Sequence, residues 1–265
     1  MASKTLLHRV SVVLVRPHKP ENVGMAARCL QVFGAGRLVV VSPGFPWENQ
    51  PLLLQASSGA HRIIQHAVCT DSLPEALADS TCVAGFSRRG HRFHRPQKTL
   101  SEWLQQDEPE ITDQKIALVF GPEDFGLSNE EKHACHVLIE ITSPHPTFSL
   151  NLSHAVAIVL YELSLQAAAS PQGRTTPKYG RSSPLVRQSD LDRLVALLER
   201  KHTGAVGSRS GRRTRQVEVV RSLFQRLHMT RMEYAALIGF LRDRLESNEE
   251  TGKNNPQVSG LQTED

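Results

Sequence analysis

Short apolar runs alternate along the first two-thirds of this chain with stretches whose apolar residues return every three or four positions. Residues 10–15 (VSVVLV), 38–41, 81–86, 116–120 and 137–141 are rich in Val, Ile and Leu, the composition of short buried strands. A weaker strand is expected near Ile63, which makes six. Residues 22–33 follow a helical period and Gly34 comes after them as a stop. Residues 73–78, 100–105 and 151–168 are the intervening helices. This alternation predicts an α/β fold: a largely parallel sheet with helices on both faces.

The pattern changes after Ala169. Residues 170–184 are rich in Pro, Gly, Ser, Thr and Arg, as in a linker. Three helical patterns follow at 190–201, 215–226 and 231–245, the first two separated by a Gly/Ser/Arg-rich stretch at 202–211. Thr230 with Glu233 three residues later reads as a capping box. Residues 247–265 lack periodicity and are expected to be disordered. The 265 residues therefore divide into an α/β domain (1–169), a linker (170–187), a small helical extension (188–246) and a tail (247–265). No internal repeat is visible.

Charge sharpens that division. Between residues 171 and 231 there are 14 Lys and Arg against 4 Asp and Glu, while the rest of the chain has 17 against 23. A basic block beside a slightly acidic domain suits a polyanion partner; a solvated linker with surface arginines is the alternative. The four cysteines, Cys29, Cys69, Cys82 and Cys135, form no CxxC pair, so reduced thiols are expected rather than a disulfide framework or a zinc site. No run approaches the roughly 18 apolar residues of a membrane span. The run 10–15 has no small-residue cleavage site after it, so the expected location is the cytoplasm.

Two nucleotide motifs fail on inspection. Gly121-x-x-x-x-Gly126 begins like a phosphate-binding loop, but Leu127 stands where the phosphate lysine is needed. Gly34-Ala35-Gly36 lacks a third glycine and follows a helix, not a strand. His91 and His94 have no third partner for a metal; RNA contact or solvent exposure is the reading for them. What remains is a set of loops after strands, where open parallel sheets place their ligands: Phe86-Ser87-Arg88, Gly121-Pro122-Glu123 and residues 141–150.

Three stretches occur in order: Glu21-Asn22-Val23-Gly24-x-x-x-Arg28, Phe120-Gly121-x-Glu123-x-x-Gly126-Leu127-Ser128-Asn129-Glu130-Glu131, and Ser149-Leu150-Asn151-Leu152. Each is a loop running into a helix. Together they resemble motifs one, two and three of the TrmH/TrmJ branch of SPOUT-class RNA methyltransferases. Residues 56–64 and the tail segment Val220-Arg221-Ser222-Leu223-Phe224-Gln225-Arg226 are similar to the TrmJ type, which 2′-O-methylates ribose at nucleotide 32 of the tRNA anticodon loop. The similarity covers about residues 8–245, with gaps in the linker.

The resemblance implies a trefoil-knotted domain, a homodimer and S-adenosylmethionine as methyl donor, with no metal and no membrane partner. Its implied cofactor contacts, largely through backbone, are Phe86, Ser87, Arg88, Gly121, Ile141, Phe148, Ser149, Leu150 and Asn151. Its implied catalytic residues are Arg28, Asn22, Glu123 and Ser149. A guanidinium ordinarily keeps its proton, with a pKa above about 12, so two roles stay open at Arg28: accepting the ribose proton, or orienting hydroxyl and phosphate with its bidentate fork. Asn22 shapes the site or merely caps a helix. Glu123 orients Arg28 or fixes a loop. Ser149 contacts ligand or caps the helix after it. Two departures from the family stand out: Pro122 where arginine is frequent, and Arg88 where a small residue is usual, within the basic loop 87–92. The expected activity is transfer of a methyl group to a ribose 2′-hydroxyl of tRNA. Alternatives are the same reaction on ribosomal RNA, a non-catalytic RNA-binding protein on the same fold, and a helical scaffold.

Overall fold

The computed structural model describes residues 6–47, 50–87, 97–106, 115–143, 149–169, 184–202, 210–227 and 229–252. Arg88 and Phe148, expected at the cofactor site, and the pair His91 and His94 lie outside the described residues.

Seven strands form one sheet: β1 (Val10–Val15), β2 (Arg37–Val41), β3 (Val68–Thr70), β4 (Cys82–Phe86), β5 (Gln97–Thr99), β6 (Ile116–Phe120) and β7 (Val137–Glu140). Their order is β3-β2-β1-β6-β4-β7-β5, and every pairing is parallel. The central strands β4 and β6 are buried along their whole length, which explains their unbroken apolar sequence.

Alternate side chains divide between two apolar layers, as the pleat requires. Val12, Leu14, Leu38, Val40, Leu118 and Phe120 face one layer. There they meet Val23, Ala26, Ala27 and Leu30 of α1 (Pro20–Phe33), Trp103 and Leu104 of α5 (Leu100–Gln106), and Val156, Val159, Leu160 and Leu163 of α7 (Leu152–Ala169). Val13, Val15, Val39, Val41, Ala117 and Val119 face the other layer, which holds Leu73 and Leu77 of α4 (Leu73–Leu77), with Leu127 and Cys135 flanking α6 (Asn129–His133). Two further short helices, α2 (Pro51–Ala56) and α3 (His61–Gln65), pack against α1. All four cysteines are free thiols.

Several expectations are corrected. Ile63 lies in α3, not in a strand; with Ile64 it packs half-buried against the core, and the adjacent β-branched pair imitates a strand by composition alone. The true third strand, Val68–Thr70, follows it. The edge strand β5 is only three half-buried, mostly polar residues, too short to show a period. Helix α1 begins at Pro20, not Asn22: the cap is Lys19 and the proline takes the first turn, where its missing N–H costs nothing.

Beyond residue 183 lie α8 (Gln188–His202), α9 (Ser210–Arg226) and α10 (Arg231–Gly252). Near the end of the expected linker, Val186 N–H donates to Met229 O at 2.9 Å and Leu185 bridges Thr230. Val186, Leu191 and Met229 form a third apolar cluster. These helices dock on the α/β layer through Gln188 N–H to Ser80 O, at 2.8 Å, and Gln225 Nε2 to His133 O, at 3.3 Å. The Thr230–Glu233 capping box is present, with Glu233 N–H donating to Thr230 Oγ1 and Thr230 N–H to Glu233 Oε2. Helix α10 extends to Gly252 rather than 245, through a Glu-containing stretch that has no apolar period. No helix among the described residues is long and apolar enough to cross a membrane.

Candidate active site at the carboxyl edge of the sheet

The sheet order reverses between β1 and β6: the chain runs outward from β1 to β2 and β3, then builds the other half beyond β6. At such a switch point the loops from neighbouring strands diverge and leave a crevice. Here the loop after β1 faces the loop after β6, and the loops after β6, β4 and β7 lie side by side.

The loop after β6 folds back tightly. A Cβ on Gly121 would sit 2.3 Å from Gly126 C and Leu127 N, so only glycine fits. Gly126 takes φ +65° and its N–H donates to Pro122 O at 3.0 Å. Ser128 then caps α6 and Glu131 completes the capping box. Glu131 is also ion-paired with Arg16, which ends β1 at φ +46°. The β1 and β6 loops are thereby clamped at their bases.

Glu123 is the centre of the crevice. Its Oε2 accepts from His18 N–H at 3.0 Å and its Oε1 from Asn22 Nδ2 at 2.6 Å. Burial raises its carboxyl pKa, but donors from His18, Asn22 and the backbone N–H groups of Glu123 and Lys19 outweigh this and hold it below the ordinary glutamate value. Asn22 is 2 % exposed, and its Oδ1 accepts from Asn151 Nδ2 at 2.9 Å. Asn151 Oδ1 in turn accepts from Ser153 N–H at 2.9 Å and Ser153 Oγ at 2.7 Å. One hydrogen-bond chain, Glu123–Asn22–Asn151–Ser153, therefore joins all three motifs.

This arrangement resolves several expectations. Asn22 is not a helix cap; it is the link between two loops. Asn151, not Ser149, caps α7. Glu123 makes its hydrogen bonds to the β1 loop and α1, and does not reach Arg28. Arg28 is exposed on α1, six residues from Asn22 and so about 120° around the helix; it forms no hydrogen bond or ion pair with another described residue. Its neighbour Cys29 has a thiol pKa raised by burial, an effect that the Arg28 charge opposes. Gly24 of the first motif is a packing residue: a Cβ there would lie 2.5 Å from Leu53 O and 2.8 Å from Ala56 Cβ, so it lets α2 approach α1.

The expected cofactor residues line the neighbouring loops. Phe86 stacks on Phe120 with ring centroids 4.5 Å apart, which leaves its backbone rather than its buried ring for a ligand. Ser87 N–H donates to Ile139 O at 3.0 Å. Gly121, Ser87 and Ile141 are half-buried, and Ser149 and Leu150 are exposed. His18 Nδ1 lies 2.9 Å from Asp124 Oδ2 across a separation of 106 residues, a pairing that no local sequence pattern signals. Ser153 had a signal, since an Asx residue two positions before a serine at a helix start favours this turn.

A family model described as the SpoU rRNA Methylase family matches residues 9–161, more than half of the chain. The chain belongs to this family. The matched span runs from before β1 into α7 and contains Asn22, Arg28, Glu123 and Asn151. Similarity to curated relatives extends further. The tRNA (cytidine/uridine-2′-O-)-methyltransferase TrmJ of Sodalis glossinidius (strain morsitans) is 31 % identical over 248 residues, 94 % of each chain. That of Cronobacter sakazakii is 30 % identical over 236 residues, 89 % of this chain and 96 % of the relative. Among solved structures, TrmJ from Z. mobilis ZM4 superposes with a TM-score of 0.75 at 28 % identity, covering 89 % of this chain and 98 % of the other. A structure described as giving insight into 2-OH methylation of C/U34 on tRNA has a TM-score of 0.50 at 29 % identity, over 60 % of this chain. The SpoU fold thus accounts for the α/β layer, and the TrmJ relatives span most of the helices beyond it as well.

Proposed function

We propose that this protein is an S-adenosylmethionine-dependent tRNA methyltransferase that modifies the ribose 2′-hydroxyl of a cytidine or uridine, at nucleotide 32 of the anticodon loop. The carrying observation is the hydrogen-bond chain Glu123–Asn22–Asn151–Ser153, which welds the three motif loops into one rigid rim at the switch point. Similarity to TrmJ relatives over 94 % of the chain supports the substrate class. The expected trefoil knot would lie at the loops after β4, β6 and β7, and the enzyme would work in the cytoplasm.

The loops after β6, β4 and β7 suit the methyl donor. They combine a half-buried glycine turn at Gly121, the Ser87 and Ser149 hydroxyls, and the apolar Ile141 and exposed Leu150, a mixture matched to the polar edges and flat apolar faces of an adenosine. When bound, S-adenosylmethionine supplies an electrophilic methyl group. The chain's own task is to hold the ribose in line with it and to manage one proton. The hydrogen-bonded Glu123 carboxylate, saturated by donors, fixes the two loops rather than accepting that proton. Arg28, exposed and unpaired, is the group available to hold the hydroxyl and an adjacent phosphate with its fork.

The same helix supports a homodimer. Val32, one turn beyond Arg28, is exposed, as are Tyr161 and Leu165 of α7, an apolar face that a second copy would cover. The helical extension would hold tRNA phosphates through its basic residues. The test is methyl transfer from labelled S-adenosylmethionine to tRNA transcripts carrying 2′-deoxyribose at position 32 or at position 34. Loss of labelling only with the position-32 substitution is expected. Loss only at 34 would move the target nucleotide, and labelling of ribosomal RNA alone would overturn the tRNA assignment.

A further inference from the structure

Phe125 is 81 % exposed, the most exposed large apolar residue of the described chain. It is not on a loose loop. It sits in the turn after β6, two residues from Glu123, and everything around it is pinned. Gly126 N–H holds Pro122 O, Gly121 packs against Gly126, the preceding Asp124 is held by His18, and the Ser128–Glu131 capping box follows. A rigid turn thus displays one aromatic ring to solvent at the rim of the crevice. An uncovered phenylalanine forfeits the hydrophobic stabilisation that burial would give it.

We infer that Phe125 is a nucleobase-stacking residue, which receives a base of the RNA loop beside the target ribose. The inference rests on the proposed RNA methylation. The charges near the ring favour a base over other partners. Glu123, Asp124 and Glu130 belong to the same turn and helix start, so an anionic lipid surface or a phosphate is repelled from this spot. A base is uncharged and offers a flat face, and single-stranded RNA is read by such stacking. The opposite loop carries the exposed Lys19, whose backbone N–H donates toward Glu123.

The experiment uses the full chain with Phe125→Ala, Phe125→Tyr and Phe125→Trp, and total tRNA as the probe. Affinity is expected to fall about tenfold or more in the alanine variant, the scale of one lost base stack, and to return in the tyrosine variant. The tryptophan variant should show fluorescence quenched by tRNA beyond that of the parent. S-adenosylmethionine binding, thermal midpoint and oligomer mass should stay unchanged in all three. Parent-level tRNA affinity in Phe125→Ala would overturn the inference while leaving the methyltransferase assignment standing. A changed oligomer mass would overturn it in favour of a protein interface. A parent protein that binds no tRNA would overturn both.

Discussion

Asn22→Asp preserves the shape of a buried side chain and replaces one donor with an acceptor. In the native protein Nδ2 donates to Glu123 Oε1 at 2.6 Å while Oδ1 accepts from Asn151. Either orientation of the aspartate sets an oxygen against Glu123. Two carboxylates with charge centres about 4 Å apart repel by about 4 kcal/mol at an effective dielectric near 20, and the lost charged hydrogen bond adds about 1.5–3 kcal/mol. Protonation sets a ceiling. Taking up one proton at pH 7 costs about 1.4 kcal/mol per unit above the ordinary glutamate value near 4.3, or about 3.7 kcal/mol. The expected loss is therefore about 3–4 kcal/mol at pH 7, shrinking to about 1 kcal/mol near pH 5 as the pair shares a proton. The parent behaves in the opposite sense. Glu123 is held below its ordinary pKa, so its contribution is fully present above about pH 4.5 and is lost as pH falls further. Urea unfolding of both proteins at pH 7 and pH 5 reads the difference. A variant as stable as the parent at pH 7, or a deficit that widens toward pH 5, would refute the reasoning.

Arg28→Ala should fold normally, within about 0.5 kcal/mol of the parent because the side chain is exposed, and lose methyl transfer at least about a hundredfold; undiminished turnover would remove Arg28 from the site. Gly121→Ala and Gly126→Ala separate crowding from backbone strain. At Gly126 a Cβ meets nothing within 4 Å, so the φ of +65° alone costs about 1–2 kcal/mol, whereas at Gly121 the backbone collision should cost more, and equal melting temperatures would contradict this. Affinity for tRNA should fall at least about tenfold between about 50 and about 200 mM salt, measured by filter binding; a flat response would argue against phosphate contacts by the basic helices.

The central strands are legible because they are buried on both faces and announce themselves as apolar runs: the limits of β1 and β6 match the expected 10–15 and 116–120. The misses have physical causes. The edge strand β5 is polar and three residues long, and Ile63-Ile64 carry strand-forming side chains on a short helix whose direction is set by packing against α1. The three motif loops were visible as turn-to-helix transitions, but their connectivity was not. The link from Glu123 to Asn22 and on to Asn151 joins residues 101 and 129 positions apart, and no periodicity encodes a contact at that range. For the same reason Asn22 read equally well as a helix cap until the fold buried it. The His18–Asp124 pair and the clamp of Arg16 on Glu131 exist only because β1 and β6 are neighbours, which strand order, not strand sequence, determines.

The most direct test is nuclease digestion and mass spectrometry of total tRNA after incubation with the purified protein and S-adenosylmethionine. A new 2′-O-methylated cytidine or uridine within an anticodon-loop fragment is the expected result, absent when Arg28→Ala protein is used. Unmodified tRNA, from protein that binds both the methyl donor and the RNA, would contradict the assignment.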